Sequence, residues 1–588
     1  MTDVRCAQCS EVFQAQAWTR ECPRCGAQKA GRCDKCGIPV DLAARTCNLH
    51  SALAAGAPGG PSTDTRLDAL VSRAFGGPAT DTLANTAVGG PSIDAPPYER
   101  PSWPPATTPV GDLIPEPRPR RRRWPLAVLA VVLLGAATGG GLVAFTMLTD
   151  KPYPSTWDPR VKELAAFVEK ERGLEFDHPV YVDFLSDAQF RREATQHEDL
   201  TPDEEAEVER GEAMLRAVGL LHGDVDLEQI GEELVGDGTV GQYRFEDQRI
   251  AVRGETLDDE RRATLVHELT HALQDQNFKI GDYEAADSGG DLAFTAVVEA
   301  DADNVEAAWG ETLSDDAREA LFKAQDETSG SADFEGVPPV FIELMGFPYA
   351  FGPGLLDAVI SRKGQAGRND LFAHPPLSEE HVVLPDTYLD DQAVTKVKTP
   401  KLAAGEKVIR GSQSDFGMVS LLVVLGERLD YEVAWKAVQG WAGDSSIGFE
   451  RGDKTCVRID VAFDEAPQAE RFEAAVDQWS KNFPASHSRK DRTVRVESCD
   501  PGTAAPGGRA EGHVSGIQGL GLRAGVQTQL ADGDWPEDKR ACVADHIIEE
   551  LTADGFIELD QELQENPTKA AVARAQAATD KAAEVCGA

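Results

Sequence analysis

The sequence predicts an α+β protein with a cysteine-rich N-terminal module, one membrane-spanning helix and a C-terminal helical appendage. Three observations predict it. An uncharged apolar run occupies residues 124–149, the eleven Cys split into seven before residue 50 and four after residue 450, and helix-like and strand-like periodicities alternate from 155 to 500. Charge divides at the same place as the cysteines. The 588 residues hold 58 Lys+Arg against 100 Asp+Glu, a net of −42. Residues 1–123 carry 15 basic and 12 acidic side chains, so the acidic excess belongs to residues 124–588. An acidic body repels phosphate backbones, and no nucleic-acid partner is expected.

Residues 1–50 place thiols in pairs: Cys6 and Cys9, Cys22 and Cys25, Cys33 and Cys36, then Cys47 with His50. Tetrahedral zinc takes four N/S ligands, and two C-x-x-C knuckles bring two thiolates each to one ion. The eight ligands suffice for two closed structural sites. Sequential pairing gives Cys6, Cys9, Cys22 and Cys25 on one ion, with Cys33, Cys36, Cys47 and His50 on the other; an interleaved pairing is the alternative. This is the pattern of a tandem zinc ribbon. Disulfides are the rival reading, opposed by a reducing cytosol. Closed coordination leaves no catalytic position, so the module is expected to engage a cytosolic protein partner.

Residues 51–123 are rich in Ala, Gly, Pro, Ser and Thr and read as a flexible linker ending in an Arg cluster at 118–123. The run 124–149 exceeds the roughly 20 apolar residues that a helix needs to cross a bilayer. Arginines before it and Asp150 after it orient it with the N-terminus in the cytoplasm and the bulk outside, extracellular or periplasmic. A signal peptide would lie nearer the start of the chain, and a buried core helix would carry a polar face.

Outside the cytoplasm the four remaining Cys form an even set. Cys456 begins one alternating strand pattern and Cys499 ends another, whereas Cys542 and Cys586 flank helical segments. The expected disulfides are Cys456–Cys499 and Cys542–Cys586, although four Cys allow three connectivities. Between 155 and 500 the patterns predict a helix at 158–172, a strand at 179–185, a helix near 202–221 and a hairpin of residues 242–245 with 249–252. Two longer helices come next, and then a smaller lobe of helix 413–428, strand 456–462, helix 465–483 and strand 492–498. Residues 501–533 read as a linker and 534–588 as a helical hairpin.

Chemistry concentrates in Thr264-Leu265-Val266-His267-Glu268-Leu269-Thr270-His271. His267 and His271 are four apart, so on a helix both imidazoles face one ion, and Glu268 is turned about 100° aside, within reach of a water at that ion. Asp258 and the acidic residues after it supply the helix start. On the next helical pattern, Glu299 lies 28 residues after His271, with Asp303 one turn beyond. Glu299 is the expected third ligand, and Asp303 is placed to orient a ligating His. Asp275, about 12 Å along the helix from His267, reads as an outer-sphere or surface residue.

This arrangement resembles the gluzincin (thermolysin-like) metallopeptidases, in which HExxH is followed by a Glu on the next helix and a downstream Asp. The resemblance implies a zincin-like fold for residues 155–500, zinc held by His267, His271 and Glu299, and Glu268 as general base. The hairpin would then be a platform for an extended substrate. A looser similarity, to bacterial membrane-linked or secreted proteins of the same type, is carried by residues 267–276, by Pro375-Pro376-Leu377-Ser378-Glu379-Glu380-His381 through Tyr388, and by Gly440-Trp441-Ala442-Gly443-Asp444. The middle motif departs from those relatives: His381 stands at the usual Gln position and Leu384 at the second His position, so the role of that His does not carry over. Zincins also use a Tyr or His to hold the developing oxyanion, and the candidates are His374, His381 and Tyr388, with Tyr349 outside that segment.

The expectation is therefore a membrane-anchored zinc peptidase acting on a peptide or protein outside the cytoplasm, with one catalytic and two structural Zn2+. Its alternative is a non-catalytic cell-surface interaction or scaffold protein with structural zinc. The intact Glu268 speaks against that alternative, because a structural site needs no base beside it.

Overall fold

The computed structural model describes residues 153–587 apart from internal segments at 196–201, 231–239, 284–287, 332–336, 505–513, 532–536 and 566–567 and the single positions 224, 228, 229, 246, 255 and 482, together with four short strands before residue 41. Those strands form two hairpins, β1 (Thr2–Arg5) with β2 (Val12–Ala15) and β3 (Gly31–Arg32) with β4 (Pro39–Val40). Each hairpin connection contains one C-x-x-C knuckle in sequence, 6–9 or 33–36. The proposed ligands Cys6, Cys9, Cys22, Cys25, Cys33, Cys36, Cys47 and His50 lie outside the described residues, as do the linker 51–123 and the expected span 124–149. Among the described residues no helix is long and apolar enough to cross a membrane.

The rest is mixed α and β, in keeping with the expected class. Helix α1 (Lys162–Arg172) is followed by β5 (Tyr181–Leu185), α2 (Asp187–Thr195), α3 (Pro202–Ala217), β6 (Gly241–Arg244) and β7 (Arg249–Arg253). The small sheet has the order β5-β7-β6, with β5 parallel to β7 and β6 antiparallel to it. Helix α4 (Asp259–Phe278) packs on this sheet, on α1 and on α5 (Ser288–Gly310). Because α4 is covered on several sides, it is apolar around most of its circumference: Leu265, Val266, Leu269, Ala272 and Leu273 all fall in one core with Val168, Ile250, Val252 and Trp309.

After α6 (Asp315–Ser331), helix α7 (Pro339–Ala373) crosses α5 at close range. Gly352 permits this, since a Cβ there would sit 2.2 Å from the Ala296 carbonyl oxygen. The helix breaks at Gly364, whose φ of 68° only glycine adopts readily. Short helices α8 (Glu380–Val383) and α9 (Pro385–Leu389) lead to a five-stranded antiparallel sheet of order β11-β12-β10-β9-β8. Its strands are β8 (Lys407–Val408), β9 (Trp441–Arg451), β10 (Lys454–Phe463), β11 (Ala485–Lys490) and β12 (Thr493–Cys499). Helices α10 (Met418–Gly426), α11 (Tyr431–Val438) and α12 (Ala466–Trp479) accompany it. One continuous core joins α5 and α7 to α10, β10 and α12 through residues such as Ala300, Phe347, Leu422, Val461 and Phe472, so this lobe is not cored separately from the helix pair.

Three expectations need revision here. Helix 413–428 is shorter, because Gly417, at φ 92°, interrupts it before Met418. The eleven-residue β9 went unforecast: its Gly-Asp-Ser-Ser run lacks alternation because nearly all of it is buried. Within the expected linker 501–533, residues 516–531 form helix α13 (Gly516–Ala531), and the terminal hairpin is three helices, α14 (Glu537–Leu551), α15 (Ala553–Glu565) and α16 (Lys569–Cys586). Among the glycines that weaken α13's signal, Gly519 serves contact, since a Cβ there would fall 2.1 Å from the Tyr431 ring. Both disulfides form with the expected pairing, Cys456–Cys499 across directly opposed β10 and β12 residues and Cys542–Cys586 between α14 and α16.

Candidate metal centre

Asp258 caps α4 by accepting from the Arg261 backbone N–H at 3.0 Å. From that start the helical period puts His267 and His271 one turn apart, their rings 4.7 Å from centre to centre. Glu299 comes from the adjoining helix α5. Its Oε2 lies 3.2 Å from His267 Nε2 and 3.5 Å from His271 Nε2. Two ligands at 2.0–2.1 Å from a tetrahedral zinc stand about 3.4 Å apart, so these two separations suit one ion, and all three ligand atoms lie within 4.8 Å of one another. Each His turns its Nε2 toward the same Glu299 oxygen, leaving Nδ1 for contacts behind the ring. Burial opposes the charge of Glu299, but His271 and His267 hold its carboxyl well below the usual range.

The rings are held from behind. His267 Nδ1 lies 3.3 Å from both Asp303 Oδ1 and Glu306 Oε2. Asp303 thus stands where the sequence placed it, and Glu306, one further turn along, is an addition. Burial opposes protonation of His267, yet Asp303, Glu299 and Glu306 raise its pKa well above the ordinary value. For His271 the partner is Gln274, whose Oε1 is 3.0 Å from Nδ1. The Gln274 amide donates to Val298 O at 3.0 Å and to Asp301 Oδ2 at 2.7 Å, which turns its oxygen toward His271. Asp301 is wholly buried and pairs with Arg172 Nε at 2.9 Å and with Arg368 Nε. Gln274, Asp301, Arg172 and Arg368 were not singled out from sequence. The available signal was Asp301 itself, a charge flanked by Ala300 and Ala302 on an otherwise apolar helix face.

Glu268 is 7% exposed and points toward β6, where its Oε2 accepts from the Tyr243 backbone N–H at 2.6 Å. Burial is the main cause that lifts its pKa, and the two His counter it. Gly241 makes the approach feasible: a Cβ there would stand 2.5 Å from Thr264 Cγ2 and 3.2 Å from Glu268 Cγ. The expected hairpin therefore supports the acid residue directly. Asp275 is not at the surface; it accepts from Tyr243 Oη at 2.9 Å and from the Gly281 N–H at 3.0 Å, fastening the same strand to α4.

The oxyanion candidates are engaged with one another and with their own loop. His374 is exposed and 2.8 Å from Asp370 Oδ1, and Tyr388 donates to the His374 carbonyl at 2.8 Å. His381 is buried, accepts from the Leu377 N–H on Nδ1 at 3.2 Å, and has Nε2 3.0 Å from the Gln392 carbonyl. Both nitrogens are committed, which leaves no donor for a substrate. Tyr349 differs: although 44% of its surface is exposed, desolvation and then the charge of Glu299 raise its pKa well above the usual value, with His267, Asp303 and Glu268 also in its field. The Gly-Trp-Ala-Gly-Asp motif is architectural, because the buried Asp444 accepts from Trp441 Nε1 at 3.0 Å and from the Gly417 N–H at 2.9 Å.

Residues 406–507, which contain that motif, match a protein family described as a domain of unknown function (DUF8575). No curated protein and no solved structure matches the chain. The His267–His271–Glu299 cluster lies outside the matched stretch.

Proposed function

We propose that the protein is a membrane-anchored zinc peptidase that hydrolyses peptide bonds outside the cytoplasm. The observation that carries the reading is the convergence of two Nε2 atoms and one carboxylate oxygen at zinc-ligand spacing, with Glu268 buried beside them. His267, His271 and Glu299 would hold the zinc, which when bound would supply Lewis acidity toward a carbonyl oxygen and ease ionisation of water. Glu268 takes the proton of the attacking water and passes it to the leaving amine. Burial holds its pKa above the ordinary carboxylate value, which suits the return of the proton to the leaving amine. The Tyr243 N–H holds the carboxylate in place. The two disulfides suit an oxidising compartment, and the apolar run 124–149 behind its arginines supplies the anchor.

Hydrolysis of an unfolded protein substrate, with and without chelator, tests the proposal. The expected result is chelator-sensitive cleavage that disappears in Glu268→Gln while zinc content is unchanged. Cleavage by Glu268→Gln at the wild-type rate would reject Glu268 as the base, and absence of zinc from the His267 site would reject the reading.

A further inference from the structure

The described residues hold a second set of converging ligands, remote in sequence from the first. Cys542, His546 and Cys586 each offer one ligand atom, and these atoms lie within 4.8 Å of one another. Cys542 and His546 are four apart on α14, the spacing that brings His267 and His271 together on α4. Cys586 comes from the neighbouring helix α16. His546 Nδ1 is 3.4 Å from Glu549 Oε2, the type of carboxylate contact that orients a metal-binding imidazole.

The surroundings give access. Cys542 and His546 line a cavity of about 280 Å³ between α14 and α11. Tyr431, on its wall, is 2% exposed and its hydroxyl has no hydrogen-bond partner. The other bridge is different. Cys456 is fully buried within the sheet, and among the described residues no metal-ligating group gathers around Cys456 and Cys499.

We propose that the Cys542–Cys586 bridge is one state of an interchangeable clasp: reduced by a dithiol, the two thiolates and His546 bind a zinc ion. Zinc–thiolate bonds of about 2.3 Å would set the two sulfurs about 3.8 Å apart, a separation that side-chain rotation can supply once the bridge opens. In the exchange a thiolate of the dithiol attacks one bridge sulfur and expels the other as thiolate. The second thiol then attacks the mixed disulfide, and the reductant leaves as its own disulfide. The two protons brought by the dithiol are released as Zn2+ takes both thiolates. Either state ties α14 to α16, so the appendage stays closed under oxidising and reducing conditions. The inference is independent of the peptidase reading.

Zinc protection of individual cysteines tests it. The full-length protein is reduced with a phosphine, given Zn2+ or chelator, pulsed with a maleimide and mapped by peptide mass spectrometry. Zinc is expected to slow labelling at both Cys542 and Cys586 by about tenfold or more, and His546→Gln is expected to remove most of that protection. His546 is partly exposed, so the oxidised variant should melt as the wild type does, which separates ligand loss from misfolding. Labelling at 542 and 586 that ignores zinc, or protection undiminished in His546→Gln, would overturn the proposal.

Discussion

Replacing Gln274 by Ala separates the support of a ligand from the ligand itself. The amide sits 1% exposed between His271 and Asp301, with Oε1 3.0 Å from the ring and Nε2 donating to Val298 O and Asp301 Oδ2. Truncation removes the acceptor that keeps the proton on His271 Nδ1 and leaves Nε2 free for a metal. It also leaves the Val298 carbonyl and one Asp301 oxygen short of a donor, at a cost of about 1–3 kcal/mol in folding stability. Loss of such an outer contact typically weakens metal affinity by about 10–100-fold, equivalent to about 1.4–2.7 kcal/mol. The assay is competition for zinc against a chromophoric chelator, alongside a denaturant melt of the metal-free protein. Structural damage alone would lower the melt and spare the affinity of the folded fraction. Unchanged zinc affinity in folded Gln274→Ala would refute the assignment of Gln274 as the residue that positions His271.

Gly241→Ala should push β6 away from Thr264 and Glu268, costing about 1–3 kcal/mol in stability, and should reduce turnover more than zinc content; a melt with paired activity and metal assays checks it. Glu380 offers a pH test. It is 4% exposed, and burial, with Asp464, pushes its carboxyl up to about 8 from 4.5. Between those values the folded state binds more protons than the unfolded state, so this contribution is full below pH 4.5 and is lost as pH rises through 8. Glu380→Gln should flatten the decline, which is on the order of 5 kcal/mol at most, and melts at pH 5 and pH 9 that fall equally in both proteins would contradict this.

How much of this was legible in the sequence depends on whether a residue's partner is near in the chain. His267, Glu268 and His271 are fixed by helical period alone, and Asp258 announces the helix start. Glu299 and Asp303 come next because a second amphipathic segment lies close behind. Gln274 also lies within the motif, but its task is set by Asp301 and thus by Arg172 and Arg368, which are 129 and 67 residues away from Asp301. No local pattern encodes such a meeting. The same reasoning explains β9, whose Ser446 and Gly448 are chosen by Ser414 and Ser412 across the sheet edge rather than by strand propensity. His374, His381 and Tyr388 stand close in sequence to a motif of interest, and their polar atoms meet Asp370, the Gln392 carbonyl and the His374 carbonyl, contacts that closeness to the motif does not encode.

Helix α7 gives these separate parts a common frame. Its first segment meets α5 at Gly352, beside Ala296 and Ala300, which flank the proposed ligand Glu299. Beyond the break at Gly364, Arg368 closes on Asp301 and so reaches His271 through Gln274. The chain then runs through 374–388 into the lobe, where the Glu379 carboxylate lies against Gly417, so close that a Cβ there would fall 2.2 Å from its Oε2. A backbone break at a glycine normally costs rigidity, but here the segments on both sides are anchored, one by a close helix crossing and the other by a buried ion pair. The lobe and helix α5, which carries Glu299, consequently share one core, and a shift of either segment would act on a proposed ligand: on Glu299 through the crossing, or on His271 through Asp301. That coupling makes the matched lobe part of the support of the candidate metal centre rather than an independent attachment.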